Sequence, residues 1–132
     1  MHQGDVHQGY RLEQVIGRGS RAVVWEATQL VSGKRYALKV LETLASGADA
    51  RFLQEFRVQA ALKHPNIVHV HAFLEIEHRL VFVLDRVPGP NLAEWMESNR
   101  PDRALAIKIF GGILRGLQAA CRAPPGFHAL AG

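Results

Sequence analysis

A glycine-rich turn between two runs of apolar residues constrains this chain more than any other feature. Residues 17–20 read Gly-Arg-Gly-Ser, and the runs on either side, 10–16 and 22–30, are typical of strands. Glycines at such a turn let the backbone approach a polyphosphate and point N–H groups at it. The Rossmann and Walker loops both lead into a helix, so a loop that leads into a strand excludes both. A hairpin without a ligand is the alternative.

Hydrophobic periodicity predicts the remaining elements. The pattern changes from alternation to helical spacing once, in the middle of the chain, and returns to helical spacing near the end. The predicted elements are strands at 10–16, 22–30, 35–41, 67–73 and 80–84, and helices at 46–63, 91–99 and 102–120. Antiparallel hairpins with a single crossover helix indicate an α+β architecture.

Composition and charge narrow the function classes. The chain has 132 residues, 48% hydrophobic and 21% charged, which excludes a wholly disordered protein. Its net charge of +4 arises from bases scattered among acids, which favours a solvated surface and no nucleic-acid partner. No apolar run approaches the roughly 18 residues of a bilayer span, and the N-terminus is too polar for a signal peptide. The lone Cys121 can form no internal disulfide, so we expect a cytoplasmic protein without membrane contact.

Two charged residues stand among apolar ones. Lys39 lies in a predicted central strand, where alternation puts it on one face with Ala37. Glu55 shares a helical stripe with Phe52 and Leu62. An inward charge must be paired or reach water, so an ion pair between Lys39 and Glu55 accounts for both. The alternative is that Lys39 simply extends its ammonium group into solvent.

The order of these features resembles the N-terminal lobe of protein kinases of the eukaryotic-like, bacterial-type Ser/Thr class, from about Tyr10 to Cys121. The glycine loop, the Ala-x-Lys strand, the helix with a Glu, and Lys-His-Pro-Asn-Ile-Val at 63–68 follow one another in the family order. The resemblance implies an N-lobe at 10–87 with a five-stranded antiparallel sheet and one helix. A flexible leader at 1–9 would precede it, and a partial C-lobe with two helices at 88–132 would follow.

The resemblance also implies which residues contact ATP. Lys39 would hold the α- and β-phosphates, and Glu55 would orient Lys39. Leu84 would be the gatekeeper beside the adenine. The other contacts would come from Ile16, Gly17 and Gly19 in the loop, from Val24 and Ala37 above the adenine, and from the backbone of Asp85 and Val87 in the hinge.

Kinase chemistry needs further residues that this sequence does not contain. The family uses a His-Arg-Asp loop, whose Asp accepts the substrate proton, and an Asn and an Asp-Phe-Gly that hold magnesium. No such motif follows Cys121. We therefore expect truncation before the catalytic loop, weak ATP binding, no magnesium or other metal site, and no phosphate transfer by the isolated chain. The alternatives are a non-catalytic, pseudokinase-like interaction module and a truncated or frame-shifted product without function.

Two further features carry expectations of their own. A His-x-His pair at His69 and His71 is an alternative metal site, with a third ligand from Glu75, Glu77 or His78. The 102–121 helix has an apolar stripe, through which we expect binding to a partner protein or self-association. Its members are Ile107, Phe110, Leu114, Leu117 and Cys121. As the last member of that stripe, Cys121 is predicted to be a buried thiol.

Overall fold

The structure, a computed structural model, describes residues 1–20, 22–44 and 50–121, except for the side chains of 43–44 and 50–55. The alternation of strands and helices predicted from the sequence is confirmed, with ends displaced by a few residues. The elements are β1 (Val6–His7), β2 (Tyr10–Arg18), β3 (Ala22–Gln29), β4 (Arg35–Leu44), α1 (Ala50–Ala61), β5 (Val70–Ile76), β6 (Arg79–Asp85), α2 (Leu92–Ser98) and α3 (Arg103–Cys121).

All strands form one antiparallel sheet, in the order β1-β2-β3-β4-β6-β5. The sheet has six strands, where five were predicted, because residues 6–7 pair with β2. Gln8 and Gly9 make this hairpin possible, since their φ angles of 51° and 85° are those of a two-residue turn that suits twisted strands. Part of the segment predicted to be a flexible leader is therefore paired backbone.

One face of the sheet holds the hydrophobic core. Leu38 and Val40 of β4 lie on this face, as the alternation in the sequence predicts, and Leu38 is fully buried. The other buried members of the core come from strands on both sides of β4, and they are Tyr10, Leu12, Ala27, Ile76, Val81 and Val83. Burial of these side chains stabilises the sheet by roughly 1.5–3 kcal/mol for each large one.

Helix α1 packs on the opposite face of the sheet. The ring of Phe56 lies parallel to that of Phe82 on β6, with centroids 6.1 Å apart, and 5.5 Å from that of Phe73 on β5. Aromatic pairs at such distances contribute about 0.5–1.5 kcal/mol beyond their buried area. The helix therefore covers the β5–β6 end of this face.

Helix α3 contacts the rest of the chain through its glycines. The side-chain amide of Asn66 donates to the Gly112 carbonyl at 2.9 Å, and a Cβ at Gly116 would lie 3.1 Å from the Asn66 carbonyl oxygen. The inward residues are Gly116 and Ala120. Cys121 is exposed, so its predicted burial was wrong. The reason is that the glycine face of the helix, and not the apolar stripe, turns toward the chain.

A second expectation about α3 also needs correction. With a mean hydropathy of 1.4, the helix is long and apolar enough to cross a membrane by length and composition alone. Its internal glycines interrupt the apolar runs, so the sequence shows no uninterrupted apolar run of that length although the mean hydropathy of the helix is high. It nevertheless carries Lys108 and Arg115 and packs against Asn66, which are properties of a helix within a folded domain.

The contact with Asn66 predicts opposite outcomes for two glycines of α3. Gly116→Ala should lower the free energy of unfolding by about 1 kcal/mol, because the new methyl group meets backbone that must move. Gly111→Ala should raise it by about 0.5–1 kcal/mol, because a Cβ there meets only the end of the Arg115 side chain. Urea unfolding of both variants measures this. A stabilising Gly116→Ala would contradict the described contact.

Candidate functional site

The strand register aligns three of the predicted site residues. Gly17 of β2 lies opposite Val24 of β3, and Val24 lies opposite Lys39 of β4. Directly opposed residues of antiparallel strands point to the same face. That face is opposite to the core, since Leu38 and Val40 flank Lys39 and point into the core. The three residues therefore form a row across the face that α1 partly covers.

A second row lies two residues along the strands. Glu26 of β3 is opposite Ala37 of β4, and Ala37 is opposite Leu84 of β6. Ala37 is buried and Leu84 is half-buried. Alternation puts this row on the same face as the first. Ala37 and Leu84 therefore form a small apolar patch beside the Lys39 row, and Glu26 lies at the end of this second row away from Leu84.

A bulge in β2 directs the glycine loop onto this face. Val15 pairs with Trp25 and Gly17 with Val24, so Ile16 is the extra residue of the longer strand. Without this insertion, Gly17 would point to the other face. Ile16 itself is exposed.

The two loop glycines are not required by the folded chain itself. Neither has a positive φ. Among the described residues, a Cβ would come no closer than 3.7 Å at Gly17 and 3.8 Å at Gly19, which is ordinary contact. The amide of Gly19 donates to the Ala22 carbonyl at 2.9 Å and closes the loop. The glycines leave the space above the sheet open.

A buried glutamate fixes the segment that follows β6, and sequence reasoning missed it. Glu26 is 5% exposed. One of its oxygens accepts from Arg86 Nε at 2.8 Å, and the other accepts from Arg35 Nη1 at 2.9 Å. The hydrogen bond from Arg86 lowers the pKa of Glu26, while burial acts in the opposite direction. Arg86 also donates to the Val87 carbonyl. The only signal in the sequence is a Glu between Trp25 and Ala27 in a strand.

Two histidines hold the residue before Arg86. The amide of Asp85 donates to the His69 carbonyl at 3.1 Å, and the Asp85 carboxylate is hydrogen-bonded to His71 Nε2. The bond to His71 lowers the pKa of Asp85. Among the described residues, the His-x-His pair and its proposed third ligands do not meet in one cluster of three ligands, because His71 pairs with Asp85 and His78 lies beside Glu75. In the predicted hinge, Asp85 is therefore held by His71 and Arg86 by Glu26, and Val87 follows these two fixed residues.

The predicted ion pair falls partly outside the described side chains. Lys39 is exposed on the face described above. Glu55 lies in the middle of α1, on the helix that packs on this face, but its side chain is outside the described residues. Pairing of Lys39 with Glu55 stays a prediction.

The sheet, the crossover helix and the face with the glycine loop and Lys39 define a kinase-like N-terminal lobe. The chain matches the protein kinase domain over residues 10–121. The crystal structure of Rad53 in complex with AMP-PNP superposes with a TM-score of 0.75, at 24% identity, over 84% of this chain and 30% of that chain. At that identity the likeness shows the fold alone. The chain belongs to the protein kinase family.

Bacterial Ser/Thr kinases are among its relatives. The chain is 35% identical to the serine/threonine-protein kinase PkaA of Streptomyces coelicolor, with 90% of this chain and 24% of the relative aligned. It is also 35% identical to PknJ of Mycobacterium tuberculosis, with 89% of this chain and 20% of the relative aligned. The chain thus spans between a fifth and a quarter of the length of these relatives.

The Glu26 pairs predict a pH-dependent loss of stability. The folded pKa of Glu26 lies below its ordinary value of 4.5. Its stabilising contribution is therefore complete above about pH 4.5 and is lost as the pH falls through the lowered folded pKa. Glu26→Gln should cost about 1–2 kcal/mol at pH 7, and the difference from wild type should shrink toward pH 3.

Urea unfolding across that pH range measures the effect. Glu13→Gln is the comparison variant and should lose less stability, since Glu13 is less buried and its carboxylate is bonded to Arg11 and Thr28 and not to the hinge. A Glu26→Gln variant as stable as wild type at pH 7 would contradict the assigned role of Glu26.

Proposed function

We propose that this lobe binds ATP on the sheet face that carries Gly17, Val24, Ala37, Lys39 and Leu84. The observation that carries the proposal is the register, because two independent rows of opposed residues bring these side chains to one face. A ligand on this face would meet apolar side chains at the Leu84 end and a cation at the Lys39 end. That polarity suits an aromatic base linked to phosphates.

The glycine loop is evidence for where the phosphates of ATP would bind. Gly17 and Gly19 answer no steric or conformational need of the described chain. A backbone that lies close to phosphate oxygens gives a reason for both glycines. Lys39 supplies a positive charge in the row next to Gly17 and Val24, and Glu55 would orient it.

The hinge and the residues beside it are evidence for where the adenine would bind. Ala37 is small and leaves room for the base against the sheet. Leu84 lies directly opposite Ala37 on the neighbouring strand β6. Asp85 and Val87 would offer backbone groups to the adenine, with Ile16 at the edge of the loop. The Glu26–Arg86 bond holds that backbone in place before a ligand arrives, which reduces the cost of ordering it on binding.

In a complete kinase this site would deliver the γ-phosphate of ATP to a protein Ser or Thr hydroxyl. The 132 residues contain no His-Arg-Asp and no Asp-Phe-Gly motif. We infer that this chain alone binds ATP weakly and does not transfer phosphate. We also infer that its ATP binding depends little on magnesium. We also infer a cytoplasmic location, which the single, unpaired cysteine supports.

Titration calorimetry tests nucleotide binding. Lys39→Met should weaken ATP binding about tenfold or more, because it removes a charged phosphate contact, and leave adenosine binding within about twofold. Gly19→Ala should also weaken ATP binding while thermal stability is unchanged or higher. Lys34→Met, which removes an exposed lysine just before β4, is the matched control. Equal losses for ATP and adenosine in Lys39→Met would contradict the role of Lys39.

A radiolabelled ATP assay with a generic acceptor protein tests the chemistry. Positioning and charge stabilisation supply most of phosphoryl-transfer catalysis, and the residues that provide them are absent from this sequence. Wild type should incorporate no more label than Lys39→Met. Label that depends on Lys39 would refute catalytic incompetence of the isolated chain.

A second candidate function is an interaction module, and the outer face of α3 favours it. Ile107 is 64% exposed, Leu114 58% and Leu117 55%, and Phe110 beside them is 54% exposed. Four large apolar side chains exposed side by side on a small chain are typical of an interaction surface. We infer that two copies of the chain pair through it, since an identical helix offers a face of matching chemistry.

Size-exclusion chromatography with light scattering tests this pairing. Wild type should run as a dimer or larger at tens of micromolar, and the double variant Leu114→Glu, Leu117→Glu should shift to a monomer, because each buried leucine contributes roughly 1.5–3 kcal/mol. Lys108→Glu, on another side of α3, is the control and should leave the dimer intact. A folded wild-type monomer under these conditions would refute self-association.

A further inference from the structure

Three potential metal ligands meet where the two ends of the sheet approach each other. His7 belongs to β1, Asp5 precedes that strand, and Glu77 lies in the turn between β5 and β6. His7 Nε2 is 3.8 Å from Asp5 Oδ2 and 3.9 Å from Glu77 Oε1. One ligand atom from each of the three residues lies within 4.8 Å of the others. The sequence separates Glu77 from the other two by about seventy residues, so the curl of the sheet creates the cluster.

The histidine nitrogen at the centre of this cluster lacks a partner. His7 Nε2 is buried, and no hydrogen bond to it comes from the residues that the structure describes. A buried polar atom without a partner is costly, and a metal ion between the three groups would remove that cost. The His7 side chain as a whole is 23% exposed, so the buried nitrogen belongs to a ring that lies at the protein surface.

The two carboxylates are already held in place. Asp5 Oδ2 accepts a hydrogen bond from the His2 amide at 2.8 Å. Glu77 Oε2 lies 3.3 Å from the amino group of Met1, which leaves Oε1 directed at His7. Both carboxylates are therefore fixed by second contacts, as metal ligands commonly are.

We propose that Asp5, His7 and Glu77 form a binding site for a divalent transition metal, with Zn²⁺ as the preferred ion. One imidazole and two carboxylates are ligands that Zn²⁺ accepts. Ligand atoms around a tetrahedral Zn²⁺ lie roughly 3.4 Å apart, so the distances of 3.8 and 3.9 Å from His7 Nε2 to the two carboxylates need to shorten by about half an ångström.

Metal binding here would join the first and last parts of the sheet. At present these parts are linked by weak contacts, such as Gln8 Nε2 donating to the Glu75 carbonyl at 3.4 Å. An ion bound only by the folded chain stabilises that chain by mass action. Asp5, His7 and Glu77 belong to neither row of residues on the Lys39 face, and the proposal does not depend on nucleotide binding.

Calorimetric titration of the untagged chain with ZnCl₂, without nucleotide, tests the proposal. The variants Asp5→Asn, His7→Gln and Glu77→Gln keep side-chain size and should each weaken Zn²⁺ binding at least about tenfold. His78→Asn is the matched control, because it removes a neighbouring exposed histidine and Asn tolerates the φ of 63° found there. It should bind Zn²⁺ like wild type.

Thermal unfolding gives a second measurement that does not rely on any one variant. Zn²⁺ should raise the Tm of wild type and of His78→Asn by several degrees, and the shift should vanish in the other three variants. No binding by wild type at submillimolar Zn²⁺ would overturn the proposal. Binding that persists in Asp5→Asn and Glu77→Gln would also overturn it, since the ion would then occupy another site, such as the pair His69 and His71.

Discussion

The position of β4 between β3 and β6 is the constraint on which the rest of the structure depends. Residues 36–40 of β4 are paired on both sides, so Lys39 lies between Val24 and Phe82, and Ala37 lies between Glu26 and Leu84. A slip of one residue would turn Lys39 into the hydrophobic core and Leu38 out of it. The burial of Leu38 and Val40 therefore fixes the register that assembles the candidate ATP site on the opposite face.

Local sequence patterns predicted the parts of the fold that depend on neighbouring residues. Alternation identified the two faces of β4, and the helix predicted at 91–99 is α2, which Asn91 caps by accepting a hydrogen bond from the Glu94 amide. The short strand β1 was missed because Gln8 is not a typical residue of a tight hairpin turn. The exposure of Cys121 was missed because periodicity locates an apolar stripe but does not say whether anything covers it.

The contacts that fix the hinge could not be predicted from local patterns. Glu26 and Arg86 are 60 residues apart in sequence, and His71 and Asp85 are 14 apart. Each pair depends on which strands become neighbours, which alternation alone does not specify. The cluster of Asp5, His7 and Glu77 depends, in addition, on how strongly the sheet curls. The site residues taken from the family resemblance are linear motifs, whereas the groups that support them are long-range contacts.

The proposed function requires that ATP binds the face with Lys39 and not the core face. Amide chemical-shift mapping by NMR during an ATP titration distinguishes the two faces. The largest shifts should occur at Gly17, Gly19, Lys39 and Val87, with little change at Leu12 and Val81, whose side chains are buried in the core. Shifts confined to residues outside the Lys39 face, or no saturable shifts at millimolar ATP, would contradict it.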